Sequence, residues 1–551
     1  MMKDFEEVTA FLGDWGCFQK VVLFLLLSST IPNGLGFVSV VFISAVPKHQ
    51  CKIPEVNLTQ NWLSVIIPVK VVNGKQELSS CSRYNLDVIR NLSAEGLLPG
   101  IDVNVTDLEE ESCLDGWIYS KEIYQSTIVS EFDLVCDDEW KQPLSPTVYF
   151  LGVLMGSFFA GQLADRYGRK PVFFTTMAVQ TVFTVVLIFS PSWIVFAIMF
   201  FISGMGQMAN YVAAFVLGTE ILSGKIRILF STLGVALGYT IGSLLVPLIA
   251  YFLRDWKKVF LATSLPALIY ILLWWFIPES PRWLVSQGRL EEAEAIIRKA
   301  AKMNKVEAPE DIFAGYNAKS KGEAQPNALD LILNKKMRPI TPILCLLWFT
   351  VLTAYYGLTL NSGNLTADPY LSTFISVAVE LPAYVCVWLV TQKLPRRPSL
   401  ICMILLGGLS LFFTQLVPET LPELAIALEM LGKYGFTSGA TLLFPYTAEI
   451  YPTVIRSTAA GTCSIFPRIG TCIAPFLFQT RPNLKYLPHV LLGTLSLVCA
   501  FITVFLPETF GKPLPETIED MSERTSLDET KQRKSLLVYW EQFTRLEVSL
   551  N

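Results

Sequence analysis

The sequence predicts an all-α membrane protein with twelve transmembrane helices arranged as two six-helix halves. Of its 551 residues, 52% are hydrophobic and only 16% are charged, and the mean hydropathy is +0.46. This composition is too apolar for a soluble chain of that length. Apolar runs of about 20 residues, the length that crosses a bilayer, recur along the chain. A set of polar markers also repeats at a fixed distance in the two halves.

Twelve apolar segments are expected to form the helices. The first segment is too long for a signal peptide and has no small-residue cleavage site, so we expect it to remain as the first helix. Those of the first half lie near residues 18–45, 145–164, 171–190, 193–220, 229–253 and 258–277. Those of the second half lie near residues 339–360, 369–392, 398–416, 422–448, 455–479 and 486–506.

Two long polar segments divide the chain into regions. The predicted regions are an N-terminus 1–17, a bundle 18–277 that includes a loop 46–144, a linker 278–338, a bundle 339–506 and a tail 507–551. In the linker, the segment Leu290–Met303 has apolar residues at helical spacing, and its acidic residues precede its basic ones. This pattern predicts an amphipathic helix. The linker and the short 165–171 loop are basic, and basic loops stay in the cytoplasm. Both termini are therefore expected inside the cell.

The long loop has the composition of an extracellular segment. It contains three glycosylation sequons, at Asn57, Asn91 and Asn104. It also contains four cysteines, which in an oxidising compartment suggest two disulfides with about three pairings open. These disulfide candidates are Cys51, Cys81, Cys113 and Cys136.

The repeated markers indicate two halves in the same orientation. Thr219-Glu220-Ile221 is followed by Arg227, and Ala448-Glu449-Ile450 by Arg456, with the same spacing from the glutamate. The second glutamate lies 229 positions after the first, because 449 − 220 = 229. Two further pairs have the same offset: the Pro-Glu-Ser and Pro-Glu-Thr segments at 278–280 and 507–509, and the glycines Gly206 and Gly435.

Several motifs resemble those of a known transporter family. Residues 161–171 (GQLADRYGRKP) resemble the signature loop of the major facilitator superfamily, whereas their counterpart at 394–398 (LPRRP) is degenerate. Residues 278–284 (PESPRWL) and the sequon-bearing first loop narrow the resemblance to solute carrier family 22. Residues 204–207 (GMGQ) and 210–215 (NYVAAF) are most similar to its organic cation/carnitine transporters. The resemblance implies a major-facilitator-type fold with a substrate site between the halves.

Arg468 is the leading candidate for substrate binding. It lies inside a predicted helix, where an ionised side chain is costly and usually functional. Its planar guanidinium suits a carboxylate. The resemblance implies an acid at this place in organic-cation members and an arginine in carnitine-type and anion-transporting members. The alternative is a structural ion pair with Glu380 or Glu429.

Aromatic side chains are candidates to surround a quaternary ammonium, which binds to desolvated ring faces. Ordinary helix packing is the alternative for each of them, and Tyr211, Tyr355 and Tyr446 are favoured because a phenol in a membrane needs a polar neighbour. The substrate-binding candidates besides Arg468 are Asn210, Tyr211, Trp348, Tyr355, Tyr356, Phe444 and Tyr446.

Two further groups are expected to serve gating and ion coupling. Charges at the predicted cytoplasmic helix ends are candidates for gate networks, the alternative being solvated charges worth about 0–1 kcal/mol per exposed pair. They are Asp165, Arg166, Arg169, Glu220, Arg227, Glu449 and Arg456. The resemblance implies sodium coupling for carnitine, and side-chain amides suggest Gln180 and Gln207, with Asn210, as ion-site candidates.

Together these features predict a secondary-active plasma-membrane transporter of small organic cations or zwitterions such as carnitine or ergothioneine. An organic-anion transporter of the same family is the alternative, and an ATP-driven pump or membrane enzyme is less favoured. Residues 218–225 (GTEILSGK) are a poor phosphate loop, since Ile226 stands where Ser or Thr is needed. His49 and His489 are isolated, so we predict no metal site and no catalytic residues, and there is no basic run for nucleic acid.

Overall fold

The computed structural model describes residues 8–13, 15–54, 58–72, 75–310, 312–313, 337–366, 368–418, 420–451, 456–479 and 486–511. The helices that correspond to the predicted spans are named α1 to α12 in chain order. The first half contains α1 Cys17–Ile43, α2 Cys136–Tyr167, α3 Arg169–Phe189, α4 Trp193–Ile221, α5 Val235–Leu253 and α6 Trp256–Trp275. The second half contains α7 Ile340–Asn364, α8 Pro369–Lys393, α9 Arg396–Leu416, α10 Pro422–Ile450, α11 Arg456–Gln479 and α12 Leu487–Thr503.

Within these described ranges, nine helices, α1 to α9, are long and apolar enough by length and composition to cross a membrane. The 29-residue α10 includes Glu423, Glu429 and Lys433. In α11 and α12 the apolar parts are shorter, at Thr462–Phe478 and Leu487–Thr503. The helix order is therefore consistent with the predicted twelve spans.

The repeated glycines mark close helix crossings in both halves. A Cβ on Gly206 of α4 would lie 2.8 Å from the backbone nitrogen of Gln180 in α3, and a Cβ on Gly435 of α10 would lie 2.6 Å from that of Gly407 in α9. Only a residue without a side chain allows helix backbones to approach this closely. The two halves therefore use the same glycine position for the same packing.

The first helix is interrupted in its middle. Its two helical segments are Cys17–Ser29 and Ile31–Ile43, with Thr30 between them. Pro32 follows the break and has no backbone N–H to continue the hydrogen-bond ladder. The sequence predicted one continuous helix here, and the interruption places Asn33 at the start of the second segment.

The segment between α1 and α2 folds into a small domain, called here the loop domain (residues 49–138). Its strands form three antiparallel pairs: β1 His49–Cys51 with β6 Trp117–Tyr119, β2 Val69–Val72 with β3 Lys75–Leu78, and β4 Ser82–Tyr84 with β5 Glu110–Ser112. Its helices are Gln60–Val65, Leu86–Ala94 and Ile128–Glu131. The predicted cysteines form two disulfides, Cys51–Cys113 and Cys81–Cys136, which selects one of the open pairings.

The linker begins with two helices, Pro281–Ser286 and Leu290–Asn304. The second confirms the predicted amphipathic helix, with its apolar residues Ala293, Ile297 and Ala301 buried. It also holds the N-terminal segment, because the Asn304 amide donates to the Leu12 carbonyl at 3.1 Å and accepts from the Phe18 N–H at 2.8 Å. We refer to the two ends of the helix bundle as the loop-domain end and the linker end.

The buried apolar residues show how the halves meet. Near the loop-domain end, one cluster joins residues of the first half to Tyr370 and Val377 of α8. A second cluster, at the linker end, draws on the first half and its linker helix. A third cluster runs along the second half alone. The described conformation therefore packs the two halves together chiefly at the loop-domain end.

Candidate substrate site and gates

A group of aromatic rings fills the contact between the halves around Tyr356 of α7. The Tyr356 ring lies edge-on to Phe37 of α1, with centroids 5.1 Å apart, and 5.8 Å from Phe150 of α2. Tyr355, its neighbour on α7, lies edge-on to it at 5.1 Å. Tyr239 of α5 joins the group through Phe37, at 6.2 Å. We call Phe37, Phe150, Tyr239, Tyr355 and Tyr356 the central aromatic group.

The Arg468 guanidinium lies beside this group. Its Nη1 donates to the Tyr356 hydroxyl at 3.5 Å, a long hydrogen bond. Its Nε is buried without a hydrogen-bond partner among the described residues. The phenol of Tyr211 on α4 is close enough to interact electrostatically with both Arg468 and Tyr356. An arginine of the second half therefore faces tyrosines of both halves with donors to spare.

The predicted alternative, an ion pair of Arg468 with Glu380 or Glu429, is wrong. Within the described part of the chain, no acid lies within ion-pair distance of Arg468. Glu380 Oε1 instead pairs with Lys433 Nζ at 3.1 Å, and Glu429 Oε1 with His489 Nε2 at 2.7 Å. The interpretation of Arg468 as a helix-packing ion pair therefore loses its proposed partners.

Glu380 and Lys433 form a buried network next to the central aromatic group. Their side chains are 2% and 1% exposed. The Tyr355 hydroxyl donates to Glu380 Oε1 at 2.9 Å, that of Tyr384 donates to Oε2 at 3.4 Å, and Lys433 donates to Ser376 Oγ at 2.9 Å. Removing one partner of a buried ion pair typically costs roughly 3–5 kcal/mol. The network thus connects α8 and α10 and fixes the Tyr355 ring.

This arrangement provides complementary groups for a zwitterion. The unfilled donors of Arg468 suit a carboxylate, because charge-assisted hydrogen bonds to a planar guanidinium are strong and directional. The central aromatic rings present faces and edges that can surround an alkylammonium group. The site also has a wall from each half, as transport through a site at the interface of two bundles requires.

The other predicted substrate residues lie elsewhere. Trp348 and Phe444 form an edge-on pair 4.5 Å apart, two helical turns from Tyr355 towards the linker end of α7. Tyr446 is fully buried, and its hydroxyl donates to the Pro507 carbonyl at 2.9 Å. The Tyr446 phenol has a polar partner, as expected, but this partner is a backbone carbonyl at the linker end and not a group of the substrate site. Tyr446 was therefore wrongly assigned to the substrate site.

Four aromatic residues of the site, Phe37, Phe150, Tyr239 and Tyr384, were not predicted from the sequence. Each lies in an apolar helix rich in other aromatic residues, so no local pattern distinguishes it from a packing residue. Tyr384 is four residues from Glu380, one helical turn away. A search for phenols one turn from a buried acid would have found it.

A second buried polar group lies inside the first half, at the break of α1. The Asn33 amide donates to Asn210 Oδ1 at 3.1 Å, and the Gln207 amide donates to the Asn33 carbonyl. Asn210 in turn donates to the Phe173 carbonyl at 2.8 Å. Asn210 therefore belongs with the ion-site candidates rather than with the central aromatic group.

Two buried side-chain oxygens of the first half have no hydrogen-bond donor among the described residues. Asn33 Oδ1 and Gln180 Oε1 are buried and have no hydrogen-bond partner in the described part of the structure. A buried acceptor without a partner is costly, and oxygen donors next to an interrupted helix are typical of sodium sites in transporters. These side-chain oxygens have the chemistry that a hard cation such as sodium prefers.

The predicted gate residues of the first half form one network at the linker end. Arg169 makes two hydrogen bonds of 2.9 Å to the Glu220 carboxylate and one ion pair of 2.9 Å to Asp165. The Glu279 carboxylate accepts from the backbone N–H groups of Arg169 and Lys170, both at 3.1 Å. Burial raises the pKa of Glu279 above its ordinary value, against the opposing effect of these N–H groups.

The second half builds the same network from the loop that looked degenerate. Arg396 donates to Glu449 with two contacts of 3.3 Å. Glu508 accepts from the backbone N–H groups of Arg396 and Arg397, at 2.9 and 3.1 Å. Arg396, Glu279 and Glu508 were missed as gate residues, although the two glutamates were repeat markers. Among the described residues, each network joins elements of one half, and the Arg456 side chain lies outside the described part.

Arg166 and Arg227 are the other gate candidates of the first half. Arg166 is exposed, with its guanidinium carbon 5.5 Å from the Tyr167 ring centroid. Arg227 lines a cavity of about 40 Å³ together with Glu220, Gln19 and Arg282. This space holds roughly three water molecules and lies at the linker end, away from the central aromatic group.

The opposite, loop-domain end is closed by Tyr370 at the start of α8. Its ring stacks on Phe42 of α1, with centroids 5.4 Å apart, and lies edge-on to Tyr251 of α5 at 5.6 Å. Its hydroxyl donates to the Ile123 carbonyl of the loop domain at 2.9 Å. One side chain of the second half thus binds three elements of the first.

Two helix bundles that share a polar-aromatic site at their contact, with matching charge networks at one end, define a membrane transporter of the major facilitator type. Residues 116–521 match the family model described as "Sugar (and other) transporter", and the chain belongs to solute carrier family 22 of this superfamily. It is a transporter and not an enzyme.

The chain is similar to several curated transporters along nearly its whole length. It is 49% identical to "Organic cation/carnitine transporter 2" of Rattus norvegicus and 48% identical to that of Homo sapiens, each match covering 94% of both chains. It is 48% identical to "Solute carrier family 22 member 4" of Mus musculus, over 94% of this chain and 95% of the relative.

Solved structures support the fold. The xylose transporter XylE from E. coli in an inward open conformation matches with a TM-score of 0.58 at 16% identity, covering 91% of this chain and 98% of the other. XylE bound to 6-bromo-6-deoxy-D-glucose matches with a TM-score of 0.57 at 18% identity, covering 92% and 99%. The predicted major-facilitator-type fold is confirmed.

Proposed function

We propose that this protein transports small organic cations and zwitterions of the carnitine type across the plasma membrane by alternating access. One observation carries the proposal: Arg468 lies beside aromatic rings of both halves, has a buried nitrogen without a partner, and faces no described acid. A carboxylate would complete its hydrogen bonds, and the rings would surround the ammonium group. The names of the relatives at 48–49% identity point to the same substrates.

We further propose that sodium is the coupling ion. Asn33 and Gln180 offer unpartnered oxygens, and Gln207 and Asn210 complete a polar group at the break of α1. These residues would hold the cation, and a bound cation would order the α1 break. Uptake by a variant such as Gln180→Leu, which removes one oxygen, should need a higher sodium concentration for half-maximal carnitine transport than wild type.

The proposed orientation places the loop domain outside the cell and the linker and both termini in the cytoplasm. Two disulfides in the loop domain suit an oxidising compartment. Asn91 and Asn104 are exposed there, and Asn57 lies outside the described residues. In this orientation the described conformation is closed to the outside by Tyr370, and the charge networks of the two halves lie at the inner gate.

The experiment that tests the substrate class compares four labelled compounds in one transfected cell line. These are carnitine, ergothioneine, tetraethylammonium and an aryl carboxylate, each measured with and without sodium and normalised to surface protein. Preferential uptake of the first three supports the proposal. Preferential uptake of the aryl carboxylate would establish the organic-anion alternative, which Arg468 by itself also permits.

A further inference from the structure

Two exposed phenylalanines occupy corresponding positions in the two halves. Phe215 of α4 is 37% exposed, and Phe444 of α10 is 63% exposed. Their separation is the offset of the internal repeat, because 444 − 215 = 229. Each lies five residues before the glutamate of the charge network in its own half, Glu220 or Glu449. The two rings therefore lie at the same level of the two halves, just before the charge networks of the linker end.

The face of α4 that carries Phe215 lines the space between the halves. Tyr211 lies four residues earlier, one helical turn away on the same face, and it interacts electrostatically with Arg468 and Tyr356 of the second half. The buried Phe230 ring supports Phe215 from behind, with centroids 6.4 Å apart and an angle of 25° between the planes. Phe215 thus continues the wall of the substrate site by one turn towards the linker end.

Phe444 continues the opposite wall in the same way. Its ring lies edge-on to Trp348 of α7, with centroids 4.5 Å apart. Trp348 is two helical turns from Tyr355 on the same face of α7, and Tyr355 belongs to the central aromatic group. The Trp348 indole is fixed because its N–H donates to Thr447 Oγ1 at 3.1 Å. A supported aromatic ring therefore extends from the second half below the substrate site.

The exposed side of Phe444 looks into the space between the halves. Its helix packs against α7, α8 and α9, and every residue from Gly435 to Ala440 is buried. Among the described residues, the apolar cluster that joins the halves lies near the loop-domain end, which leaves a space between them at the linker end. Because Tyr370 closes the loop-domain end, a substrate that leaves the central aromatic group passes Phe215 and Phe444.

We propose that Phe215 and Phe444 form a second, release-side subsite for the ammonium group of the substrate. A quaternary ammonium is attracted to aromatic ring faces and needs no hydrogen-bond partner there. At this level the cation has left Arg468, so carnitine and tetraethylammonium should depend on the two rings to the same extent. The inference rests on the proposed transport of organic cations and extends it to the path by which they are released.

The test measures the affinity of each face of the transporter separately, in oocytes that express the full chain. Labelled tetraethylammonium is injected over a range of concentrations for efflux, or supplied outside for uptake. Phe444→Ala should raise the half-saturating internal concentration roughly two- to fivefold, as loss of a cation–π contact at an exposed site predicts. The half-saturating external concentration should stay as in wild type, because the rings are covered when the linker end is closed. Phe444→Tyr keeps the ring and should restore the wild-type internal value.

The matched control is Phe501 of α12. Its ring is 68% exposed and is supported by Phe505, edge-on at 5.7 Å. It thus resembles Phe444 in exposure and in support by a second ring. However, α12 packs against α7 and α9, both helices of the second half, so its exposed face looks away from the first half. Phe501→Ala should therefore leave both half-saturating concentrations as in wild type.

An unchanged half-saturating internal concentration in Phe444→Ala would overturn the proposal. A change in the maximal rates alone would also overturn it and would make the rings part of the inner gate. If Phe444→Ala does not reach the surface, Phe215→Ala tests the other ring with the same measurement.

A separate outcome concerns the proposed function. If wild type transports neither tetraethylammonium nor carnitine, that function fails, and binding to the solubilised protein then tests the subsite. Tetraethylammonium should raise the Tm of wild type and of Phe501→Ala more than that of Phe444→Ala. Equal shifts in the three proteins, or no shift in wild type, would refute the subsite.

Discussion

Replacing Arg468 with alanine should reduce the apparent affinity for carnitine far more than that for tetraethylammonium. The guanidinium has a buried Nε without a partner and only a 3.5 Å contact to Tyr356, so a substrate carboxylate would take the unfilled donors. A hydrogen bond to a charged group contributes roughly 1.5–3 kcal/mol. At about 1.4 kcal/mol for each tenfold change, carnitine affinity should fall about ten- to a hundredfold.

Tetraethylammonium has no carboxylate, so its uptake should be preserved or improved when the guanidinium is removed. The measurement is the ratio of the two uptakes in one cell line, each normalised to surface protein. Arg468→Lys keeps the charge without the planar fork and should be intermediate for carnitine. An equal loss of both uptakes, together with lower surface expression, would refute the substrate-binding role and leave Arg468 as a packing residue.

Three other predictions concern the gate, the orientation and a residue outside the site. Glu449→Lys should lower the maximal transport rate at equal surface abundance, because it places a cation against Arg396; an unchanged rate would exclude a gate role. Glycosidase treatment of intact cells should lower the apparent mass of the protein, and the double variant Asn91→Gln, Asn104→Gln should show a smaller mass shift. If the treatment leaves the mass of the wild-type protein unchanged, the loop domain does not carry glycans outside the cell. Tyr446→Phe should lower Tm, since it loses the bond to Pro507, while leaving the carnitine-to-tetraethylammonium ratio as in wild type.

The order of the helices followed from the sequence because a bilayer imposes a length and an apolar composition on each span. The repeat of Gly206 and Gly435 also carried structural information, since close helix crossings exclude side chains. The interruption of α1 at Thr30 was not predicted, because the segment is apolar on both sides of it. Asn33, just after this break, makes its hydrogen bonds with Gln207 and Asn210, which are distant from it in the sequence.

The loop domain illustrates the same limit. The four cysteines indicated two disulfides, but their pairing depends on which strands meet. The hydrogen bonds between β1 and β6 place Cys51 opposite Trp117. Cys113, the disulfide partner of Cys51, lies four residues before Trp117 in the sequence. Such contacts join residues more than sixty positions apart, and no local pattern in the sequence records them.

The sequence by itself determined that the chain spans a membrane, that it has two similar halves and which charged residues lie inside the spans, because each of these follows from composition, periodicity or the cost of a charge in lipid. Only the tertiary structure decided how those charges are paired: Glu380 with Lys433, Glu429 with His489, and Arg468 with no acid among the described residues. It also decided that Tyr356 meets Phe37 and Phe150, whereas Tyr446 meets Pro507. The physical reason is that a helix fixes which residues share a face, but the packing of several helices fixes what each face contacts.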